Sequence, residues 1–179
     1  GIDHVLAEQA ERQSRHRQAY TDLVKNSIFI VLDELGFGLE EVEVGFNRGW
    51  TADSFMASLQ KNRAKDLERG VSHAGPHRAD LWFTQGKQAA RAVLSRGEQK
   101  LFAVALLMTQ AQIAASAGDR PVILLDDLAS ELDSEHFDNA LNRALDSGAQ
   151  VWLTGTERVK SRSPHKVFHV EQGRVEEVV

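Results

Sequence analysis

Residues 122–125 form an unbroken run of β-branched and aliphatic side chains, Val-Ile-Leu-Leu, preceded by Pro121 and followed by two aspartates. A run of this kind reads as a central parallel strand buried on both faces, and a parallel strand needs helical crossovers and an α/β layer around it. The neighbouring sequence supplies both. Residues 101–115 (LFAVALLMTQAQIAA) predict a helix apolar on nearly all sides, expected to lie between layers. Residues 134–147 place Phe137, Leu141 and Leu145 on one helical face before Gly148, and residues 151–154 (VWLT) read as a second short buried strand. Helix, apolar strand, helix, apolar strand is the order of a mainly parallel sheet with helices.

Upstream, residues 2–35 predict a helix, with one break allowed. Tyr20, Val24, Ile28, Val31 and Leu35 make an apolar stripe, whereas residues 11–17 (ERQSRHR) are polar on every side and are expected to project. Gly36 and Gly38 end this helix. Val42, Val44 and Phe46 then alternate with Glu41, Glu43 and Gly45 as a strand with one buried face, and Asn47-Arg48-Gly49 makes a turn. Residues 52–69 predict a second helix with Phe55, Met56, Leu59 and Leu67 inward and Gly70 as its stop. The division expected is a helical arm over residues 1–70 and an α/β lobe over 71–179. Gly75-Pro76 excludes a regular helix at that point, strands are expected at residues 81–84 and 87–90, and residues 166–170 and 174–178 alternate around Gln172-Gly173 as a hairpin.

Two places carry chemistry. In LSRGEQK, residues 94–100, Ser95 and Glu98 have the spacing of a capping box, which by itself explains them as a helix start. The second reading is that Gly97 admits a ligand to the backbone and that the first-turn N–H groups face an anion such as a terminal phosphate. Asp126 and Asp127 follow the apolar strand, at the end where open α/β sheets place their ligands. They read either as a solvated strand end or as a pair needing a divalent cation, since adjacent carboxylates repel. On the second reading one serves Mg²⁺ and the other orients or deprotonates water. Ser130-Glu131-Leu132-Asp133 leads into the next helix with Asp133 as its N-cap. His73 and His77 have zinc spacing only on a helix, which Gly75-Pro76 forbids, so His77-Arg78 reads as a structural or phosphate-proximal pair. Arg12, Arg15 and Arg17 read first as a solvated helix face and second as contacts to DNA phosphates.

Taken together, Ser-x-Gly-x-Gln opening an apolar helix, a strand ending in Asp-Asp, Ser-Glu-Leu-Asp and a strand ending at Thr154 resemble the C-terminal half of the ABC-type ATPases. These are its signature motif, Walker B strand, D-loop and switch strand. Within that superfamily, GPHRADL at 75–81, the Ser-Arg-Gly-Glu-Gln-Lys signature and LLDDLASELD at 124–133 resemble the RecF family of recombination mediators. The likeness is strong over residues 71–157, weaker over the arm and generic over the last twenty or so. Asp127 stands where transporters carry Glu, and Thr154-Gly155-Thr156 has no histidine where transporters place one; both suit the RecF family. The only Gly-Lys pair, Gly86-Lys87, lacks the remainder of a phosphate-binding loop. The chain is therefore expected to be the arm plus the C-terminal half of a longer protein, inactive alone.

The resemblance implies an ATP-dependent dimer with Mg²⁺. Ser95, Arg96, Gly97, Gln99, Ser130, Asp133 and Thr154 would contact or relay to ATP, Asp126 would hold the metal, and Asp127 would be the catalytic residue of a slow ATPase. It further implies gapped DNA at single-strand/double-strand junctions, RecO and RecR as partners, and recombinase loading in repair, replication and the SOS response. An SMC-like repair ATPase and a non-catalytic docking module are the alternatives. The former expects extended heptads, which the polar residues 11–17 interrupt. A net charge of −5 over 179 residues argues against a uniformly basic nucleic-acid coat, leaving room for local patches. The absence of cysteine excludes disulfides and fits a reducing cytoplasm. The longest apolar stretch, residues 101–108, is far short of the ~20 residues a membrane helix needs, so no membrane is expected.

Overall fold

The computed structural model describes residues 2–38 and 42–178. A single unbroken helix, α1 (Ile2–Glu34), forms the spine. Its C-terminal half buries Val24, Ile28, Val31 and Leu32, with Leu35 just beyond the helix end, in the main core. Tyr20, expected on the same stripe, is 42% exposed, because its position falls where the helix leaves that core. The N-terminal half does not project. Ala7 and Ala10 pack with Trp50, Phe55 and Ala74 in a second, smaller core, since two small residues let the neighbouring chain approach the helix closely. Further ties fix this half. Arg17 donates to the Pro76 carbonyl at 2.7 Å, and Glu11 accepts from the Phe55 N–H at 2.8 Å.

The first sheet is antiparallel, with β1 (Val42–Asn47), β2 (Asp80–Gln85) and β3 (Gln88–Ala89) in that order. Val42 and Val44 are buried, as alternation requires; Glu41, part of the expected pattern, lies outside the described residues. Lys87 and Ala90 fall outside β3, the latter opening the four-residue helix α3 (Ala90–Val93). Between β1 and β2 runs α2 (Phe55–Arg69), which starts later than residue 52 because Ser54 caps it by accepting from the Ala57 N–H. Gly70, in the left-handed region at φ 66°, ends it. Leu67 is 75% exposed and not inward, because only the first turns of α2 reach the small core. Pro76–Arg78 make one 3₁₀ turn, the limited helix that Gly75-Pro76 permits.

The second sheet is the parallel pair β4 (Val122–Leu125) and β5 (Gln150–Leu153), joined by α5 (Leu128–Glu131) and α6 (Ser134–Asp146). Their inner face, Ile123, Leu125, Val151 and Leu153, packs into the main core with Phe137, Ala140, Leu141 and Ala144 of α6. The core extends onto α4 (Arg96–Ser116), whose Leu101, Phe102, Ala105 and Met108 meet α1 and α6. Two expectations of complete burial fail here. Val122 and Leu124 are 54% and 72% exposed, and Leu107 of α4 is 66% exposed, because no described element covers those faces. The chain ends in the exposed hairpin of β6 (Phe168–Glu171) and β7 (Arg174–Glu177). The main core crosses residue 70, combining α1 and β1 with the later elements.

Ile28 is fully buried in that shared core. Ile28→Ala is expected to cost about 2–5 kcal/mol. Urea denaturation followed by both circular dichroism and tryptophan emission should show the loss in one coincident transition.

Candidate functional site

Four of the singled-out residues, Asp126, Asp127, Ser130 and Thr154, meet at the carboxyl end of β4. Thr154 follows β5 and its N–H donates to the Leu125 carbonyl at 3.0 Å, extending the parallel ladder by one step. This brings its hydroxyl to the aspartates. The Thr154 Oγ1–H donates to Asp126 Oδ1 at 2.5 Å, and the same oxygen accepts from the Asp127 N–H at 3.0 Å. One hydroxyl used in both senses thus fixes the Asp126 carboxylate and the backbone of Asp127.

Asp127 itself lies in the left-handed region, φ 48° and ψ 32°. That conformation costs a non-glycine residue about 1–2 kcal/mol and is best tolerated by Asp and Asn. Ser130 stabilises it: its hydroxyl donates toward Asp127 Oδ2 at 2.8 Å and the Asp127 carbonyl at 2.9 Å. Asp126 and Asp127 are both exposed. Among the described residues no three His, Cys, Asp or Glu side chains cluster to enclose a metal. Asp126 nevertheless fits a Mg²⁺ site, because that ion keeps several waters and takes one or two carboxylates plus substrate phosphates.

Ser95 opens α4 through the predicted capping box. The Ser95 N–H donates to Glu98 Oε2 at 2.7 Å and the Glu98 N–H donates to Ser95 Oγ at 3.3 Å. Hydrogen bonding to the Ser95 side chain, then to its backbone, holds the Glu98 carboxyl below its ordinary value of 4.5. Gly97 faces open space, since a Cβ there would meet nothing within 4 Å. No internal packing therefore requires this glycine. The Gln99 amide is spent on the loop before the helix, donating to the Leu94 and Arg91 carbonyls at 2.9 and 3.1 Å, so it braces the turn. Arg96 lies exposed beside it.

Asp133 caps α6, accepting from the His136 N–H at 3.0 Å, with its other oxygen 2.6 Å from His136 Nδ1. Those bonds, the backbone one first, hold its carboxyl below 3.8. Asp126, Asp127, Ser130 and Thr154 therefore form one hydrogen-bonded group. Ser95, Arg96, Gly97 and Gln99 form another at the α4 start, and Asp133 belongs to the α6 cap. An exposed ion pair between Lys100 and Glu131 links the first two, tying the first turns of α4 to α5. This link and the His136 partner of Asp133 were not foreseen. The His136 contact has a local signal, the i,i+3 spacing at a helix start, whereas Lys100 and Glu131 meet only through the tertiary fold. His73 pairs with Asp66 at 2.7 Å and His77 lies 3.1 Å from the Ser72 carbonyl, which leaves both in structural contacts.

A parallel strand ending in two carboxylates, beside a capped and ligand-accessible helix start, defines the C-terminal half of an ABC-type ATPase head. No family model matches the chain. It is, however, 34% identical over 97% of its length to the DNA replication and repair protein RecF of Shewanella denitrificans, and equally to those of Shewanella putrefaciens and Shewanella baltica. The chain spans about half the length of these relatives, 50% in each case. It superposes on the solved recombination mediator protein RecF–ATP of the RecFOR pathway with a TM-score of 0.79 and 25% identity, covering 99% of this chain and 49% of that one. A second RecF structure, with ATPrS, gives a TM-score of 0.76 at 22% identity and 50% coverage. Over the half that it spans, this chain is similar to RecF along nearly its whole length.

The depressed Glu98 carboxyl sets a pH expectation. Its contribution to stability is present above the ordinary carboxylate value of 4.5 and is lost as pH falls through the lower folded value. The stability difference between wild type and Glu98→Ala, measured by urea unfolding, should therefore shrink between pH 7 and pH 3.

Proposed function

We propose that this chain is the nucleotide-closing part of a RecF-type, ATP-dependent recombination mediator. The observation that carries the reading is the Thr154 hydroxyl holding Asp126 and Asp127 together at the strand end. In the whole protein, two molecules sandwich ATP. Ser95, Arg96 and Gly97 of one close on the terminal phosphate held in the other's phosphate-binding loop, using the helix-start N–H groups as anion donors. Gln99 keeps that start rigid. Asp126 would hold Mg²⁺, which supplies charge neutralisation at the phosphates when bound. Asp127 orients the attacking water and takes its proton, and its short side chain suits slow turnover, a timer more than a motor. Ser130 keeps Asp127 in place, and Asp133 relays contact across the dimer.

ATP binding then drives dimerisation on gapped DNA, and hydrolysis releases it. RecO and RecR are the partners and recombinase loading is the outcome. Support comes from the RecF relatives and from the place of the solved mediator in the RecFOR pathway. The exposed outer face of β4 and β5, Val122, Leu124 and Trp152, is read as covered by the other half of the relatives' length. No described helix is long and apolar enough to cross a membrane.

In the full-length protein, Ser95→Arg is expected to abolish ATP-dependent dimerisation measured by light scattering; dimerisation equal to wild type would remove the signature role. Asp127→Asn keeps the left-handed backbone and should retain ATP binding while turnover falls by about 10²-fold or more. Unchanged turnover would displace Asp127 from catalysis. This chain alone should give no heat with Mg-ATP by titration calorimetry, and tight binding would mean that the phosphate loop lies within it.

A further inference from the structure

A cleft of about 620 Å³ lies on the arm between the N-terminal half of α1 and the turn after β1, lined by Arg15, Gln18, Asn47, Trp50 and Trp82 among others. It takes no part in the nucleotide site. Three of its features are unexplained by the fold alone. Trp50 is only 5% exposed, yet its indole Nε1–H has no hydrogen-bond partner among the described residues, an uncommon state for a buried donor. Arg15 is exposed and has no partner among the described residues, whereas Arg48, stacked 5.2 Å over Trp50, is spent on the Trp50 and Ala52 carbonyls. Trp82 is 40% exposed, and its ring is seated against Gly45, where a Cβ would fall 2.2 Å from Trp82 Cζ2. The glycine makes room for this partly exposed indole.

The cleft thus offers a π-surface and a free guanidinium beside the buried Trp50. We propose that it binds single-stranded nucleic acid, one base stacking on Trp82 and a phosphate pairing with Arg15. A nucleotide unit supplies a flat ring and an anion together, and stacking on an aromatic side chain tolerates any base. Glu11 also lines the cleft, but its Oε1 is occupied by the Phe55 N–H, which limits its repulsion of a phosphate. The inference rests on the DNA reading above only for its choice of ligand, and it assigns the single-stranded part of a junction to the arm.

The test uses the 179-residue chain with fluorescein-labelled oligothymidylate and a blunt duplex of equal length, followed by anisotropy and by tryptophan emission. Oligothymidylate is expected to bind more tightly than duplex and to quench emission. Trp82→Leu should remove most of the quenching and weaken binding about ten-fold. Arg15→Gln, an exposed helix position that leaves folding intact, should weaken binding and lower the slope of log K against log salt by roughly 0.7. Single-strand binding unaffected by Arg15→Gln, or duplex preferred without quenching, overturns the cleft while leaving DNA binding itself in place. An acidic, tyrosine-containing peptide that binds and quenches where oligothymidylate does not would assign the cleft to a protein partner and overturn the proposal. Failure of the DNA reading is separate: it would appear as loss of all ATP-dependent DNA binding by the full-length protein.

Discussion

Everything in this chain hangs on α1 being continuous. Its aliphatic stripe from Val24 to Leu35 belongs to the main core, and Ala7 and Ala10 belong to the small core around Trp50 and Phe55. A 33-residue helix spans roughly 50 Å, so one rigid rod sets the distance between the two cores. The polar segment between the two cores is stable as helix because both ends are anchored and because Glu11 and Arg17 spend their charges on backbone groups of the arm.

At the other end of the molecule the site is held by few bonds, most of them exposed. The Thr154 hydroxyl serves as donor and acceptor, so Ser could replace it chemically but Val could not. Lys100 and Glu131 are both about half-exposed, so their pair contributes little stability, on the order of 0–1 kcal/mol. Its importance is orientation. It couples the start of α4 to the segment that follows the two aspartates.

Local chemistry was legible in the sequence. The capping box at Ser95, the caps at Asp133 and Gly70, the strand alternation of Val42 and Val44, and the strand that ends just before Asp126 and Asp127 follow from rules acting over a few residues. What could not be read was the covering of apolar faces. Leu67, Leu107, Val122 and Leu124 are apolar at the right spacing, but periodicity defines a face without saying what packs on it. The contact of Lys100 with Glu131, the unpaired Trp50 indole and the left-handed backbone of Asp127 were equally invisible, since each depends on how distant segments meet. Recognition of the family came from the order of the motifs, which survives where single residues are ambiguous.

The uncovered side of β4 and β5 has a consequence for handling the chain. Val122, Leu124 and Trp152 lie on one flat face, and a two-stranded sheet presents unpaired N–H and C=O groups along both its edges among the described residues. Apolar side chains beside open strand edges are a template for self-association. Concentrated solutions of this chain will therefore be colloidally fragile, and a single Lys in place of Leu124 would act as a gatekeeper without touching the core.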